Sequence, residues 1–476
     1  MTYKLLKNKK KFYITTAIDY VNASPHIGHA FEKVIADAIA RWHKLLGENV
    51  WFLTGTDENA QKNVEAAKQA GIDTQKFVDK NSKIFLELCG KLNISYNRFI
   101  RTTELPHIKK SQEIFRKVYE KGDIYKGKYE GNYCVGCESF KTEKDLVDGK
   151  CPIHNKQTEW LSEDTYFFRL SKYKNEIIKF VNNYIIPEIR KKEILSRLNE
   201  EELKDLSVSR ENLEWGIDNP IDNKFKIYVW IDALTNYITG SNGNWPADVH
   251  VIGKDINWFH SVIWPSILIS AGYKLPKKLL VHAFLNLKGS KISKSFGNTI
   301  NPLSLISKYG SDSVRYSLLK CSIIEDSDYS EDILTIRNNE ELANKLGNLV
   351  SRVSSLAEKY GIQKTENKLI KKLKLKEIEK LLNNFELDKA LNEIFAFIDD
   401  CNEYVQSKRP WESKDKKVLY ELVDSIKTIA VLLWPFIPSA SEKISSHFGF
   451  EISYNNIKKP FGVKKIKKSE ILFNKI

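Results

Sequence analysis

Two kinds of hydrophobic pattern alternate over the first third of the chain. Residues 12–18 (FYITTAI) and 50–56 (VWFLTGT) are short apolar runs rich in β-branched and aromatic residues, which is typical of buried strands. Between them, residues 30–45 (AFEKVIADAIARWHKL) carry apolar side chains at helical spacing. A strand, a helix and a second strand in this order predict a parallel βαβ unit.

This alternation is interrupted over residues 119–226 and then resumes. Strand-like runs return at residues 226–231 (KIYVWI), 249–254 (VHVIGK) and 277–286 (KKLLVHAFLN). From residue 338 onward, periodic Leu, Ile and Phe among many charges predict a helical bundle with a lysine-rich tail. The pattern therefore predicts an α/β fold with one doubly wound, Rossmann-type parallel sheet, split by an insertion and followed by an all-α bundle. The predicted units are the two sheet halves at 1–118 and 227–337, the insertion at 119–226 and the bundle at 338–476.

Composition adds the expectation of a folded protein that works on a polyanion. The chain has 476 residues, enough for about three domains, and 42% of them are hydrophobic. Lys and Arg exceed Asp and Glu by 75 to 61, and the net charge of +14 suits a polyanionic partner. We find no apolar run of the roughly 18 residues that a spanning helix needs, and no pattern of a cleaved signal. Only six cysteines argue against a secreted disulfide scaffold, so we expect a cytoplasmic protein.

The first candidate site is the segment PHIGH, which opens the predicted helix. The carboxyl end of a parallel strand leading into a helix N-terminus is where open α/β sheets bind phosphates. His26 and His29 can donate hydrogen bonds to phosphate oxygens, and Gly28 leaves room for a nucleotide against the backbone. On these residues alone, the alternative is that both histidines only cap the helix.

A second candidate is the Gly- and Ser-rich segment LKGSKISKSFGNTI. It places Lys291 and Lys294 after the strand predicted around residues 279–285. Two ammonium groups on a loop can close over a triphosphate and neutralise the charge that develops at the α-phosphate and the departing pyrophosphate. A lysine-bearing loop is otherwise an ordinary solvated turn, so this interpretation depends on the loop being paired with the PHIGH segment.

The insertion carries four residues at the spacing of a zinc site. A Cys-x-x-Cys pair and a Cys-x-x-His pair are separated by thirteen residues, and the ligands are Cys134, Cys137, Cys151 and His154. Three thiolates and one imidazole suit tetrahedral zinc, and four protein ligands leave no position for substrate. We therefore predict one structural Zn2+ that stabilises a small subdomain with little core of its own.

Several segments resemble, in order and across the whole chain, the methionyl-tRNA synthetase family of class I aminoacyl-tRNA synthetases. They include YVNASPHIGHA, FLTGTDEN, YEGNYCVGCESFKTEKDL, YVWIDALTNY, IGKDINWFHSVIWP and the KISKS loop. The resemblance implies ATP-dependent ligation of L-methionine to tRNA(Met) through a methionyl-adenylate, with ATP and Mg2+ as substrate. Three positions depart from the family's usual residues, namely Asp19, Asn59 and Ile292.

The resemblance also assigns roles to individual residues. It implies catalytic roles for His26, His29, Lys291 and Lys294, and an ATP site of His26, Gly28, His29, Gly253, Asp255 and Lys294. The implied methionine pocket consists of Ala17, Ile18, Tyr20, Asp57, Trp230, Ala233, Leu234, Tyr237, Ile256 and His260. Aromatic and aliphatic walls make favourable contacts with a thioether sulfur, and Asp57 matches the carboxylate for the substrate ammonium. For Trp230 and Tyr237, taken alone, ordinary core packing is the alternative.

In the bundle, the segments LGNLVSR and KRPWE resemble the family's anticodon-reading segments. They imply that Asn348 and Arg352 bond base edges and that Trp411 stacks on an unstacked base. Only a short lysine-rich tail follows the bundle, so we expect a monomer. Two other hypotheses stay open on the sequence, namely another class I aminoacyl-tRNA synthetase and a non-catalytic RNA-binding relative.

Overall fold

The computed structural model describes residues 9–135, 139–141, 143–152, 155–211, 213–287, 290–291, 300–463 and 465–476. The strands of this part of the chain are β1 (Lys11–Thr16), β2 (Asp19–Tyr20), β3 (Asn49–Asp57), β4 (Arg98–Arg101), β5 (Ile124–Cys134), β6 (Ser139–Lys141), β7 (Lys150–Cys151), β8 (Lys156–Gln157), β9 (Glu159–Phe168), β10 (Ile185–Ile186), β11 (Leu206–Ser207), β12 (Ser209–Glu211), β13 (Phe225–Ile227), β14 (Val249–Gly253), β15 (Leu279–His282), β16 (Leu285–Leu287), β17 (Ser290–Lys291) and β18 (Ser327–Asp328).

The α-helices of the same residues are α1 (Ile27–Leu45), α2 (Gln61–Gln69), α3 (Thr74–Lys91), α4 (Leu105–Glu120), α5 (Lys174–Tyr184), α6 (Glu188–Glu200), α7 (Val229–Thr239), α8 (Trp264–Ser270), α9 (Pro302–Tyr309), α10 (Ser311–Leu319), α11 (Glu331–Ile336), α12 (Asn348–Tyr360), α13 (Leu375–Asn383), α14 (Leu387–Lys408), α15 (Pro410–Ser413), α16 (Lys416–Leu433), α17 (Pro438–Phe448) and α18 (Asn455–Lys458). Among these residues, no helix combines the length and hydropathy needed to cross a lipid bilayer.

The predicted parallel sheet is present. Its strands follow the order β10-β15-β14-β1-β3-β2, with β4 also paired to β3, and every pairing is parallel. Strand order reverses at β1, with β3 on one side and β14 on the other. The carboxyl end of β1 therefore lies at the position where doubly wound sheets bind their ligands.

The interrupting segment forms its own antiparallel sheet in the order β11-β9-β5-β6. Residues 124–133 of β5 pair with the whole of β9, and helices α5 and α6 follow them. Between these two helices, the short strand β10 pairs with β15 at the edge of the large sheet. The segment is therefore tied to the large sheet at a third point besides its two ends.

One predicted strand is wrong. Residues 226–231 do not continue the large sheet, because β13 pairs with β12 and the helix α7 begins at Val229. All residues from Val229 to Tyr237 are buried. The predicted strand ends at Ile231, and the polar residues that mark the helical period of α7, Asp232, Thr235 and Asn236, follow it.

The C-terminal part is helical, as predicted. The helices α12, α13, α14, α16 and α17 pack around a shared core that continues onto α1 and α10 of the sheet domain. The far end of α1 lies against this bundle, where the indole Nε1 of Trp42 donates to Oδ1 of Asn383 at 2.9 Å. A single helix therefore extends from the carboxyl edge of the sheet to the bundle.

Candidate active site

The N-terminus of α1 is built by its two histidines. The backbone N–H of Gly28 donates to Nδ1 of His26 at 3.1 Å, and the N–H of His26 donates to Nδ1 of His29 at 3.0 Å. This reciprocal arrangement is a capping box made with imidazoles. Gly28 is required here, because an added Cβ would lie 2.9 Å from the ring of His26.

The capping role of the histidines and their predicted phosphate role are compatible. A neutral imidazole that accepts a hydrogen bond at Nδ1 carries its proton at Nε2. The caps therefore fix both His26 and His29 in the tautomer that donates from Nε2, beside a helix N-terminus whose dipole favours anions. Both histidines cap the helix, and in the same caps Nε2–H is the group of each ring that can donate to a phosphate.

The lysine loop is followed by a residue that contacts this helix. Lys291 lies in β17, paired to Asn286 of β16, while its side chain and residues 292–299, including Ile292 and Lys294, lie outside the described residues. The carbonyl of Ile300, which follows these residues, accepts the N–H of Ile27 at 3.0 Å. The end of the loop is therefore anchored on the first helical residue of the PHIGH segment.

The predicted ribose residues lie at the carboxyl end of β14. An added Cβ on Gly253 would come within 2.9 Å of Oδ1 of Asp255 and within 4 Å of the His282 ring. His282 ends β15, and its Nε2 lies 3.3 Å from Oε2 of Glu32 on α1. The sequence reasoning missed His282 and Glu32, although a histidine at the carboxyl end of a buried strand is a signal that could have identified the first of them.

The predicted methionine pocket has one wall on α7. Trp230, Ala233, Leu234 and Tyr237 recur at helical spacing on one face of α7, and all four are buried. The indole of Trp230 stacks on the ring of Phe259, with centroids 3.7 Å apart and planes 8° from parallel. Phe259 was not predicted, and its aromatic face extends the same wall.

The polar end of this wall is a pair of hydrogen-bonded side chains. Nδ1 of His260 lies 3.0 Å from the carbonyl of Ile256, so Nε2 is left to accept the hydroxyl of Tyr237 at 2.7 Å. Burial lowers the pKa of His260 to about 4, which keeps the imidazole neutral at neutral pH. Burial also raises the pKa of Tyr237, so the tip of the pocket is polar and uncharged.

The other predicted pocket residues lie after β1, at the end of β3 and after β14, and the apolar ones share a hydrophobic cluster with the residues of α7. Ala17 and Asp57 are buried, whereas Ile18, Tyr20 and Ile256 are half-buried. Tyr20 pairs in register with Asp57, so the predicted ammonium ligand lies beside the aromatic ring. The described residues therefore bring together the predicted methionine pocket and the predicted phosphate site on the two sides of one strand end.

Two of the three departures from the family pattern have partners in the structure. The amide nitrogen of Asn59 donates to Asp232 at 2.8 Å and to the carbonyl of Thr102 at 3.2 Å, which ties this loop to α7. Asp19 accepts a hydrogen bond from the ammonium of Lys33, and both side chains are buried. Lys33 was not singled out in the sequence.

The three predicted anticodon residues lie together on the bundle. Asn348 and Arg352 are exposed on α12, four residues apart and therefore on one face. The guanidinium of Arg352 lies 5.9 Å from the centre of the Trp411 ring. Trp411 packs partly against the bundle core and stays partly exposed.

Two of the four predicted zinc ligands lie within the described residues. Cys134 and Cys151 are buried, whereas Cys137 and His154 lie outside the described part. Each described cysteine occupies the same position in a hairpin, because Cys134 pairs with Ser139 and Cys151 pairs with Lys156. Within the described ranges, no group of three or more metal-ligating side chains comes together.

Comparisons with known proteins agree with this geometry. The model of the family described as "tRNA synthetases class I (M)" matches residues 12–159 and 143–354, and that of the "Anticodon-binding domain of tRNA ligase" matches residues 367–473. The chain is 41% identical to the methionine--tRNA ligase of Clostridium tetani over 98% of this chain and 79% of the relative. It is 42% identical to that of Rickettsia conorii over 92% of both chains.

A solved structure shows the same arrangement. The methionyl-tRNA synthetase of Mycobacterium tuberculosis in complex with methionyl-adenylate superposes with a TM-score of 0.93 at 35% identity, covering 98% of this chain and 99% of that one. The parallel sheet, the histidine-capped helix at its strand end and the helical C-terminal part define a class I aminoacyl-tRNA synthetase. Within that class, the chain belongs to the methionyl-tRNA synthetase family.

Proposed function

We propose that this chain uses ATP to join L-methionine to tRNA(Met), for the initiation and elongation of translation. The observation that carries the proposal is the placement of two sites around one strand. The hydroxyl of Tyr13 on β1 donates to the carbonyl of Tyr237 in the aromatic pocket at 2.6 Å, and the loop after β1 leads into the histidine-capped start of α1. An amino acid in the pocket and the phosphates of ATP at the helix therefore lie next to each other.

The first half-reaction forms the adenylate. A carboxylate oxygen of methionine attacks the α-phosphorus in line, a new P–O bond forms, and the bond to the β-phosphate oxygen breaks to release pyrophosphate with its Mg2+. Nε2–H of His26 and of His29, together with the dipole of α1, stabilises the charge on the phosphates. Lys291 and Lys294 neutralise the departing pyrophosphate, and no general base is needed because a carboxylate is already the nucleophile.

Methionine is selected by the pocket on α7. Asp57 holds the ammonium group, and the stacked Trp230 surrounds the thioether with polarizable surface. The hydroxyl of Tyr237 and the neutral ring of His260 place polar atoms near the sulfur without introducing a charge. Leucine, which lacks the polarizable sulfur, should bind this wall less well.

The second half-reaction requires tRNA. The terminal ribose hydroxyl attacks the carbonyl carbon of the adenylate, the ester forms, and AMP leaves. Asn348, Arg352 and Trp411 lie together on the bundle, and this supports their proposed reading of the anticodon. In this proposal, residues 1–118 and 227–337 form the catalytic domain, 119–226 the connective insertion and 338–476 the anticodon domain, in a chain that acts as a monomer.

We also propose a structural Zn2+ in the insertion, held by Cys134, Cys137, Cys151 and His154. The matching hairpin positions of the two described cysteines support the proposal, since each comes directly before a four-residue connection that carries the next ligand. When bound, the metal would fix the tips of the two hairpins relative to each other.

Charging of tRNA tests the proposed function as a whole. The full chain should attach methionine to a tRNA(Met) transcript and should charge a transcript with a replaced anticodon at least tenfold more slowly. Attachment of cysteine, leucine, isoleucine or valine instead of methionine would support the alternative of another class I synthetase. Binding of tRNA without attachment of any amino acid would support the non-catalytic alternative.

A further inference from the structure

A buried ion pair lies directly behind the candidate active site. The ammonium of Lys33 donates to a carboxylate oxygen of Asp19. The side chain of Lys33 is 0% exposed and that of Asp19 is 7% exposed. Burying two charges costs about as much as their attraction returns, so a pair of this kind contributes little net stability. Its presence calls for an explanation other than stability.

The ammonium of Lys33 is held in its charged state. Burial lowers the pKa of Lys33, but the carboxylates of Asp19 and Glu32 and the hydrogen bond to Asp19 outweigh burial, so the pKa of Lys33 is raised. An ammonium held by a carboxylate is a directional contact. It fixes the distance between the two backbones that carry the two groups.

These two backbones belong to the two halves of the active site. Asp19 and Tyr20 form β2, and alternation along the strand places their side chains on opposite faces. In our assignment Tyr20 faces the methionine pocket, so the side chain of Asp19 lies on the face of β2 that points away from the pocket. Lys33 follows His29 by four residues and lies on the same face of α1, one turn behind it.

The strand itself is irregular at this point. Thr15 of β1 pairs with Leu53 of β3, whereas Asp19 of β2 pairs with Thr56. Four steps on one strand therefore face three steps on the other, which is the signature of a bulge between β1 and β2. A bulged segment is held less firmly by the sheet, and here its position is fixed from behind by Lys33.

We propose that Asp19 and Lys33 are positioning residues for adenylate formation. Their ion pair sets the position of β2, which carries Tyr20, relative to the histidine-capped end of α1. The inference rests on the proposed function. In-line attack requires the carboxylate oxygen and the α-phosphorus at a defined separation, and a displacement of about 1 Å can reduce a rate by about a hundredfold. Neither side chain needs to touch the substrate to have this effect.

The test compares Lys33→Met with a matched change far from the site. Lys427 in α16 makes a similarly buried pair with Asp424 at 2.7 Å, in the bundle. Lys427→Met therefore removes a buried ammonium of the same type without touching the catalytic domain. For both variants, kcat and KM for methionine are measured by ATP–pyrophosphate exchange below the melting temperature of each variant.

We expect Lys33→Met to lower kcat at least about tenfold, with KM for methionine within about threefold of the parent value. Lys427→Met should leave both constants near those of the parent. An unchanged kcat in folded Lys33→Met would overturn the inference. If the parent itself shows no methionine-dependent exchange, the proposed function fails instead, so the two failures are distinguishable.

A second variant covers the case in which Lys33→Met does not fold. The double change Asp19→Leu and Lys33→Met replaces the pair with apolar side chains of similar size, which restores stability in other buried ion pairs. It should recover the melting temperature while kcat stays low, because an apolar contact is not directional. Recovery of both the melting temperature and kcat would show that the pair is merely structural.

Discussion

Replacement of Asp37 by asparagine should loosen the junction between α1 and the helical bundle. Asp37 is fully buried and accepts hydrogen bonds from Arg41 at 2.8 Å, from Arg315 at 2.7 Å and from the backbone and hydroxyl of Ser95 at 2.7 Å each. Arg315 donates in turn to the carbonyls of Leu92, Pro435 and Phe436 at 2.9–3.1 Å. One carboxylate thus supports the contact between the sheet domain and the bundle.

The magnitude follows from the pKa of this carboxyl. Burial alone would raise the pKa of Asp37, but the charges of Arg315 and Arg41 and the hydrogen bonds from Ser95 hold it at about 2, below the ordinary 3.8. At about 1.4 kcal/mol per pH unit, the ionised form stabilises the fold by about 2 kcal/mol. Removing one member of a buried ion pair costs about 3–5 kcal/mol, because the other charge is left without a partner. We therefore expect Asp37→Asn to lose about 2–5 kcal/mol.

The assay is urea unfolding of the full chain at neutral pH, followed by circular dichroism through its first transition. Asp399→Asn is the matched control, because Asp399 and Lys345 form an exposed pair that should contribute less than about 1 kcal/mol.

Since the folded pKa of Asp37 lies below its unfolded value, its contribution is complete above about pH 4 and is lost as pH falls toward 2. The parent should therefore lose stability more steeply in this range than Asp37→Asn. A loss of less than 1 kcal/mol for Asp37→Asn would refute the reasoning.

Three further changes separate the parts of the mechanism. Trp411→Ala should reduce methionylation of tRNA about ten- to a hundredfold, the loss expected for about 1–3 kcal/mol of base stacking, and should leave pyrophosphate exchange unchanged. A lowered melting temperature together with equal loss of exchange would show that Trp411 is a packing residue. Lys294→Ala should slow exchange with little change in methionine binding, because the ammonium acts on charge that grows in the transition state, and equal exchange rates would remove it from the site. Cys151→Ser should release zinc, measured by metal analysis, and should weaken tRNA charging more than exchange, whereas a parent protein without zinc would end that assignment.

The local pattern of the chain was sufficient to predict the first βαβ unit and the helical C-terminal part. The apolar run at residues 50–56 lies within β3, and the run at residues 12–18 contains most of β1, which ends at Thr16. The PHIGH segment was predicted to begin a helix, and His26 is the N-cap. These features depend on neighbours in the sequence, which is why the sequence alone could show them.

Other features depend on contacts between residues that are distant in the sequence. The strand predicted over residues 226–231 is wrong from Val229 onward, where the buried helix α7 begins. Asp19 pairs with Lys33 and Asn59 with Asp232, and neither partner is a neighbour in the sequence. Glu32 and His282 meet across the strand ends although 250 positions separate them in the sequence. Hydrophobic periodicity carries no information on such pairs.

The central claim is that the pocket on α7 and the histidine-capped helix together activate methionine. The most direct measurement is ATP–pyrophosphate exchange by the full chain without tRNA, with methionine compared against leucine, isoleucine, valine and cysteine. We predict exchange that depends on methionine and falls at least about tenfold with each of the other amino acids. Absence of exchange with methionine, or faster exchange with one of the others, would contradict the assignment.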